Sequence, residues 1–152
     1  MPVSLTLPMG AEELIPHRKP MRLVDRLLER DELEARAEAV ITADNPLVDE
    51  EGRLEGAALL EFMAQACAAA RGHQDLSAAG PVKKGFLVGV RRVHVVGPAR
   101  VGDRLEIHMA TVGTLEGFSV LEGEVTRDGE VIATGTLKLW VADDADLQRI
   151  RP

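Results

Sequence analysis

The chain has 152 residues, of which 45% are hydrophobic and 28% are charged. This length and composition fit one globular domain and exclude a chain that is largely disordered. The 25 acidic and 18 basic side chains give a net charge of −7, which argues against nucleic-acid binding because that function requires a basic surface.

The first third of the chain predicts a short helical turn followed by extended segments. The turn covers residues 11–15 and ends at Pro16. Residues 22–29 are apolar at positions that fit either a strand or a helix, so both readings stay open there. Between Leu33 and Ile41 apolar and charged residues alternate, which predicts a strand with one buried face and one wet face.

A long apolar helix is predicted in the middle of the chain. Residues 57–70 contain a single charge, the carboxylate of Glu61. We expect the helix to run from about Gly56 to Arg71 and to stop at Gly72. A carboxylate in a helix that is apolar on every side is costly unless another group pairs with it or uses it.

The second half of the chain reads as four strands that follow a loop at residues 73–81. The expected strands cover residues 86–96, 104–112, 118–126 and 131–141. The apolar pattern of the third strand shifts at Glu122 and Gly123, which predicts a bulge there. Asp128 and Gly129 form a typical hairpin signal between the last two strands.

These elements predict an α+β fold in which one antiparallel sheet wraps around the central apolar helix, the hotdog fold. We expect residues 1–152 to form a single hotdog domain, with a core at about 11–141 and a polar C-terminal tail at 142–152. Such a sheet has free edges, and two protomers joined edge to edge would cover one edge of each. A homodimer or a higher oligomer is therefore expected.

Other features of the sequence bear on redox chemistry, location and cofactors. Cys67 is the single cysteine, and we expect it to be a packing residue. The N-terminus lacks the pattern of a signal peptide, and the apolar helix is shorter than the roughly 20 residues that span a bilayer. We therefore expect a cytoplasmic protein without a membrane partner. Neither metal-ligand spacing nor a glycine-rich phosphate loop is found, so no metal is predicted.

Four segments resemble the motifs of the 3-hydroxyacyl-acyl-carrier-protein dehydratases. Residues 14–26 read LIPHRKPMRLVDR, which is similar to that family's LPHRxPFLLVDR. Residues 55–66 read EGAALLEFMAQA, which is similar to its PGVLxxEAMAQA. Residues 85–90 and 101–105 resemble its YFAGID and VxPGDxL segments more weakly. The matches follow the family's order and cover about residues 14–141.

The resemblance implies a hydro-lyase that dehydrates 3-hydroxyacyl thioesters on acyl carrier protein to trans-2-enoyl thioesters, in fatty acid or polyene-type biosynthesis. This reaction needs a base for the C2 proton, an acid for the leaving C3 hydroxyl and a group that stabilises the enolate-like oxygen. No cofactor is implied beyond the phosphopantetheine that carries the substrate. In the family, the histidine of one subunit works with the acidic residue of the other, so the dimer would be required for catalysis.

The resemblance also assigns roles to individual residues. It makes His17 the base, and Glu61 the residue that orients or protonates the leaving hydroxyl. Gly56 matches the glycine at the helix start, where its amide and that of Ala57 would point at the thioester oxygen. Gln65 lies one turn after Glu61 and would brace its carboxylate. The remaining expected substrate-binding residues are Phe86 and Gly89.

Structural roles remain open alternatives for these residues. The alternative for Glu61 is a structural carboxylate that binds backbone amides or an arginine such as Arg22 or Arg91. The alternative for Gly56 is a requirement of a tight helix start, and for Gln65 it is a partner of buried backbone. The three other histidines are expected to be structural; they are His73, His94 and His108.

One segment departs from the family pattern. The family usually carries GHFPxxPxxPG before the central helix, whereas residues 45–56 read NPLVDEEGRLEG. The His-Phe-Pro is missing, and Glu55 replaces the proline before Gly56. This variant resembles the dehydratase-like branch of aryl polyene gene clusters, whose members can act beside a second dehydratase-like subunit. Two alternatives follow: a catalytically weak subunit that forms a heteromer with a second dehydratase, or a hotdog acyl thioesterase that uses Glu61.

Acyl carrier protein is the expected partner, and it is acidic. An acidic enzyme therefore needs a local basic patch to receive it. The candidates for this carrier-protein patch are Lys83, Lys84, Arg91, Arg92 and Arg100. An ordinary solvated surface is the alternative for each of them.

Overall fold

In the computed structural model, which describes residues 5–80 and 84–142, one seven-stranded antiparallel sheet wraps around a single α-helix. This is the hotdog arrangement that the sequence predicts. The elements are β1 (Met9–Gly10), β2 (Arg26–Arg30), β3 (Glu34–Val40), α1 (Ala58–Ser77), β4 (Lys84–Val95), β5 (Arg104–Leu115), β6 (Phe118–Arg127) and β7 (Glu130–Ala142). A 3₁₀ turn at Ala11–Glu13 follows β1, close to the predicted helical turn. Most of the predicted polar tail lies outside the described residues.

The strands follow the order β1-β2-β3-β5-β6-β7-β4, so β4 lies at one end of the sheet. Of the two readings left open for residues 22–29, the strand is correct from Arg26 onwards. Strand β4 pairs with β7 on one side, and its other side carries no strand within the described residues. Its large apolar side chains are between 37% and 48% exposed; they are Phe86, Leu87, Val88, Val90, Val93 and Val95. An exposed apolar edge of this length is a natural site for another chain.

The inner face of the sheet packs on α1 through alternate residues of β3 and β5. Ala37 and Ile107 are fully buried, as are Phe62 and Met63 of the helix. The predicted alternation is thus confirmed for most of this strand. It is wrong for Leu33, which is 62% exposed, because Leu33 lies in the turn before β3 begins.

The predicted end of the helix at Gly72 is wrong, because α1 continues to Ser77. A Cβ atom built on Gly72 would lie 2.1 Å from the carbonyl oxygen of Leu14. This glycine therefore allows the segment after β1 to pack directly on the helix, and it does not end it. The close approach matters for the site, because Leu14 is three residues before His17.

The extended helix also changes the position of His73, which the sequence placed in a loop. His73 is buried in α1 at 7% exposure. Its Nδ1 accepts a hydrogen bond from Nε of Arg30 at 2.7 Å, and its Nε2 lies 3.0 Å from the carbonyl oxygen of Leu5. His73 therefore ties the N-terminal segment and β2 to the helix, which is the structural role expected of it.

The predicted bulge at Glu122 and Gly123 is also wrong, since both residues pair regularly with β5 and β7. The register shift in this hairpin lies on β5, between Thr111 and Gly113. A Cβ atom on Gly123 would lie 2.7 Å from Sδ of Met109 and 2.8 Å from Sδ of Met63. The apolar pattern is interrupted there because two methionine side chains occupy the space.

The hairpin between β6 and β7 is built as predicted, with Asp128 at φ 52° and Gly129 at φ 80°. Beyond it, the first apolar residue of β7 does not belong to the buried face of the strand. Val131 is 40% exposed, whereas Ile132 is 2% exposed. The reason is a register shift in the β6–β7 pairing next to this turn, which exchanges the two faces by one residue.

Candidate active site

A cavity of about 660 Å³ lies between α1, the segment after β1, and the adjoining ends of β4 and β7. This volume is in the range typical of small-molecule sites. Its lining residues are Glu12, Glu13, Leu14, Ile15, Pro16, His17, Arg18, Glu61, Ala64, Gln65, Cys67, Ala68, Arg71, Gly85, Phe86, Leu87, Leu139 and Val141. Four of the predicted site residues are among them: His17, Glu61, Gln65 and Phe86.

His17 and Glu61 lie next to each other on the wall of this cavity. Nε2 of His17 is 3.9 Å from Oε1 of Glu61, and the two side chains are 36% and 37% exposed. The separation is longer than a hydrogen bond, and it is short enough for both side chains to contact neighbouring atoms of one ligand. Glu61 is therefore half-exposed on the cavity wall, although the helix around it is apolar.

The division of this pair between two subunits, which the resemblance implies, stays a prediction. Within one chain, His17 and Glu61 already lie close together. The physical reason is the packing of the segment after β1 on α1, which Gly72 permits.

Gln65 fixes Glu61 relative to the backbone that follows His17. It is 1% exposed, and its Nε2 donates hydrogen bonds to Oε1 of Glu61 at 2.9 Å and to the carbonyl oxygen of Met21 at 2.8 Å. Its Oε1 accepts hydrogen bonds from the backbone N–H groups of Leu23 at 2.8 Å and Val24 at 3.3 Å. Gln65 therefore both braces the carboxylate of Glu61 and satisfies buried backbone groups. The two alternative roles that the sequence left open for this residue are both observed.

Replacing Gln65 by Leu is expected to lower the free energy of unfolding by about 2–4 kcal/mol, because the buried backbone groups of Met21 and Leu23 lose their partner. Urea denaturation measures the change. Gln74→Leu is the matched control, since Gln74 is an exposed glutamine of the same helix and its replacement should change stability by no more than about 0.5 kcal/mol. Equal stability of the two variants would contradict the role given to Gln65.

Hydrogen bonds from the side chain of Arg18 stabilise the turn that carries His17. One guanidinium nitrogen of Arg18 donates hydrogen bonds to the carbonyl oxygens of Ile15 at 3.0 Å and His17 at 2.9 Å. Nδ1 of His17 is buried and has no hydrogen-bond partner within the described residues. Such a ring nitrogen is costly to bury without a partner.

The structural alternative that paired Glu61 with Arg22 is not observed. Arg22 donates a hydrogen bond to the carbonyl oxygen of Val24 at 2.9 Å and lies 3.7 Å from Asp25. Histidines other than His17 also have partners elsewhere, such as His108, which lies 3.6 Å from Glu34. His17 is the histidine that lines the cavity.

The structure does not bring every predicted site residue to the cavity. Gly56, Ala57 and Gly89 do not line it. Gly56 faces Val95, whose side chain would be 3.6 Å from a Cβ atom at this position, and Ala57 precedes the first residue of α1. Phe86 lines the cavity and also packs on Trp140, with ring centroids 5.9 Å apart. The role of the helix start as an oxyanion site stays a prediction.

The altered loop before the helix is closed by its own hydrogen bonds. Oδ1 of Asp49 accepts from the N–H groups of Glu51 and Arg53, each at 2.9 Å. The N–H of Glu55 donates to the carbonyl oxygen of Leu47 at 3.0 Å. This loop, which lacks the family's His-Phe-Pro, contributes no residue to the cavity wall.

Cys67 lies on the wall of the cavity without being a nucleophile. The side chain is buried, and this burial raises the pKa of the thiol to about 12. The thiol is therefore protonated near neutral pH, and the thiolate is the reactive form. The expected packing role agrees with this.

Only part of the predicted carrier-protein patch lies within the described residues. Lys83 and the side chain of Lys84 lie outside the described part of the structure. The three other candidates do not line the cavity; they are Arg91, Arg92 and Arg100. The arginines on the cavity wall are Arg18 and Arg71, which the sequence analysis missed. A signal for Arg71 existed, because it follows Glu61, Ala64 and Ala68 at helical spacing.

Within residues 5–80 and 84–142, no cluster of three or more histidine, cysteine or acidic residues fits a metal ion. None of the helices described is both long and apolar enough to cross a membrane.

Comparisons with known proteins converge on one family. The family model described as "ApeP-like: ApeP dehydratase" matches residues 9–150. The "3-hydroxyacyl-[acyl-carrier-protein] dehydratase FabZ" of Streptococcus thermophilus is 32% identical over 141 residues, which cover 88% of this chain and 96% of that protein.

Solved structures agree with this result. "The Dehydratase Heterocomplex ApeI:P from Xenorhabdus doucetiae" matches with a TM-score of 0.85 and 25% identity, over 93% of this chain and 97% of that chain. The uncharacterized protein PH1136 from Pyrococcus horikoshii matches with a TM-score of 0.64 and 21% identity, over 91% of this chain and 97% of that chain, which shows the fold alone.

Proposed function

This chain belongs to the family of ApeP-like dehydratases and, by its identity to FabZ, to the 3-hydroxyacyl-acyl-carrier-protein dehydratases, and we propose that His17 and Glu61 are its catalytic residues. Its function is the dehydration of 3-hydroxyacyl thioesters on acyl carrier protein to trans-2-enoyl thioesters, in fatty acid or polyene-type biosynthesis. The reaction consists of proton transfers and loss of water, so it needs no cofactor beyond the carrier-bound substrate. The observation that carries the proposal is the 3.9 Å separation of the two side chains on one cavity wall.

In the proposed mechanism His17 is the base and Glu61 is the acid. Nε2 of His17 takes the proton from C2, and the electron pair of that C–H bond forms the C2–C3 double bond. The C3–O bond breaks, and the hydroxyl leaves as water with a proton from Glu61. The proton then passes from His17 to Glu61 and restores both groups. Because C2 and C3 are adjacent, the base and the acid must lie a few ångströms apart, as these two do.

Two further groups complete this proposal. Gln65 is a positioning residue, because its Nε2–H holds Oε1 of Glu61 at 2.9 Å while its other bonds fix it to the backbone. The amides of Gly56 and Ala57 remain the candidates for the enolate-like oxygen, although neither residue lines the cavity. They precede the first turn of α1, which holds Glu61, and they lie at the positive end of the helix dipole.

We propose that the chain works in an oligomer that forms along β4. The exposed apolar side chains of this edge strand support it, since a second chain would cover them. The similar solved structure is a heterocomplex of two dehydratase subunits, which favours a second dehydratase-like subunit as the partner. The loop without the His-Phe-Pro is consistent with a chain that acts beside such a subunit. A homodimer is the alternative assembly.

Acyl carrier protein is the proposed substrate partner. Arg18 offers it a positive charge on the cavity wall, and Arg91, Arg92 and Arg100 remain candidates for its docking surface. The thioesterase alternative is less supported, because the family match and the FabZ relatives are dehydratases. A cytoplasmic location stays a prediction.

Mass spectrometry of a 3-hydroxyacyl carrier protein tests the reaction. We expect the carrier-bound species to lose one water when the purified chain is added, either alone or together with a dehydratase-like subunit from a neighbouring gene. Turnover that appears only with the second subunit would support the heteromer. Release of the free carrier thiol would favour the thioesterase, and an unchanged carrier species in both mixtures would overturn the proposed function.

A further inference from the structure

Three segments of the chain meet at the side chain of His73. Its Nδ1 accepts a hydrogen bond of 2.7 Å from Nε of Arg30, the last residue of β2. Its Nε2 lies 3.0 Å from the carbonyl oxygen of Leu5, in the N-terminal segment (residues 5–16). His73 itself is buried in α1. The two contacts therefore attach the start of the chain to both the sheet and the helix.

These contacts together require the neutral form of the imidazole ring. Nδ1 is the acceptor from Arg30, so the ring proton must be on Nε2, which donates it to the carbonyl of Leu5. A protonated ring has a donor on each nitrogen and no acceptor. It would direct Nδ1–H at the Nε–H of Arg30, and the two cations would repel each other.

The charged groups around His73 do not offset this repulsion within the part of the chain that the structure describes. Arg30 donates to His73 and forms no ion pair there with a carboxylate. Asp31 is exposed, and the N–H groups of Leu33 and Glu34, followed by the charge of Arg30, lower the pKa of its carboxyl. The other charged groups of β2, the turn after it, the end of α1 and the N-terminal segment are exposed or already ion-paired. They are Glu12, Glu13, Arg26, Glu29, Glu32, Arg71 and Asp75.

We propose that His73 is a pH-sensitive switch, which holds the N-terminal segment on α1 while its ring is neutral and releases the segment when its ring is protonated. The proton does not have to enter the closed structure, because the ring takes it up when the segment opens. Since the closed arrangement accepts only the neutral ring, this uptake shifts the equilibrium toward the open form. The proposal concerns the packing of the segment and does not depend on the proposed function.

The direction and size of the pH effect follow from the titration of a free histidine, near pH 6.5. Above this range the ring is neutral in both forms, and the closed segment has its full stability. Below it, the open form binds a proton that the closed form excludes, so opening increases as the pH falls. The equilibrium constant for opening should therefore rise about tenfold between pH 7.5 and pH 5.5.

Opening of the segment would also affect the candidate site. The residue before His73 is Gly72, against which the carbonyl oxygen of Leu14 packs, and Leu14 is three residues before His17. Release of the segment removes the packing that places His17 3.9 Å from Glu61. Turnover should then fall in acid, but protonation of His17 as the proposed base lowers it too. A readout other than activity is therefore needed.

Hydrogen exchange of the full chain, followed by mass spectrometry and corrected for the intrinsic effect of pH, gives this readout. The reporting amides are those of Ala11, Leu14 and Ile15, which donate to backbone carbonyls in the closed segment. We expect their protection to fall about tenfold between pH 7.5 and pH 5.5. The amide of Ile107, in the paired strand β5, should change much less, which excludes global unfolding as the cause.

His73→Gln separates the titration from the contacts. Its amide oxygen and nitrogen offer an acceptor to Arg30 and a donor to Leu5, and the amide does not titrate. The variant should keep the segment protected and lose the tenfold change with pH. His108→Gln is the matched control, because His108 lies near Glu34 on another part of the sheet, and it should keep that change.

Arg30→Met decides the question if His73→Gln does not fold. It removes the cation that excludes the protonated ring, so the change of protection with pH should largely disappear. Equal protection of the reporting amides at both pH values in the wild type would overturn the proposal. A tenfold change that persists in His73→Gln, or in Arg30→Met, would also overturn it, because another group would then cause the opening.

Discussion

Glu61→Gln is expected to lower kcat/KM for a 3-hydroxyacyl carrier protein by about 10²–10⁴-fold, the range that one acid–base group contributes. The replacement keeps the size of the side chain and removes its acidic proton. Its amide oxygen still accepts the hydrogen bond from Gln65, so the fold should be retained. Steady-state formation of the enoyl thioester measures the loss, and the thermal midpoint of unfolding confirms that the variant is folded.

The histidine of the pair supplies the second half of this test. His17→Gln should cause a loss of similar size, and the double variant should lose little more than either single variant, because two groups of one reaction are not additive. His108→Gln is the matched control, since His108 lies near Glu34 away from the cavity. Full turnover in His17→Gln would show that this histidine is not the base and that another subunit supplies it.

The alternation of β3 and β5 was predictable because a strand has a period of two, and residues such as Ala37 and Ile107 keep the period. Local patterns failed where a distant segment decides the structure. Gly123 interrupts the apolar pattern of β6 because two methionine side chains occupy the space there, and Gly72 lies inside α1 because the carbonyl oxygen of Leu14 packs against it. Neither contact leaves a trace in the neighbouring sequence.

The candidate site could likewise be predicted from the sequence only in part. The motifs identified His17 and Glu61, and helical spacing placed Gln65 beside Glu61, where a hydrogen bond joins them. The bonds of Gln65 to Leu23 span 42 residues, so no local rule predicts them. The 3.9 Å approach of His17 to Glu61 within one chain was not predicted, because it depends on how the segment after β1 packs on α1. Arg71 also lines the cavity and was missed, although it follows Glu61 at helical spacing.

Gly72→Ala is expected to destabilise the protein by about 3 kcal/mol or more, the upper range for an overpacked site. Helix propensity alone predicts the opposite, since Ala is more favourable than Gly in a helix by about 1 kcal/mol. The structure favours destabilisation, because the added Cβ atom would lie 2.1 Å from the carbonyl oxygen of Leu14. Backbone atoms must then move apart, as no side-chain rotation relieves the contact.

The displacement should also reach the candidate site. Leu14 and His17 belong to one short segment, so moving the first changes the 3.9 Å separation of His17 from Glu61. We therefore expect kcat to fall in Gly72→Ala even at temperatures where the variant is fully folded. Gly113→Ala is the matched control, because nothing lies within 4 Å of a Cβ atom there, and it should change stability by no more than about 0.5 kcal/mol. Urea denaturation with parallel assays separates the two effects. A Gly72→Ala variant as stable and active as Gly113→Ala would mean that the segment does not rest on α1, and the His17–Glu61 pair would lose its structural basis.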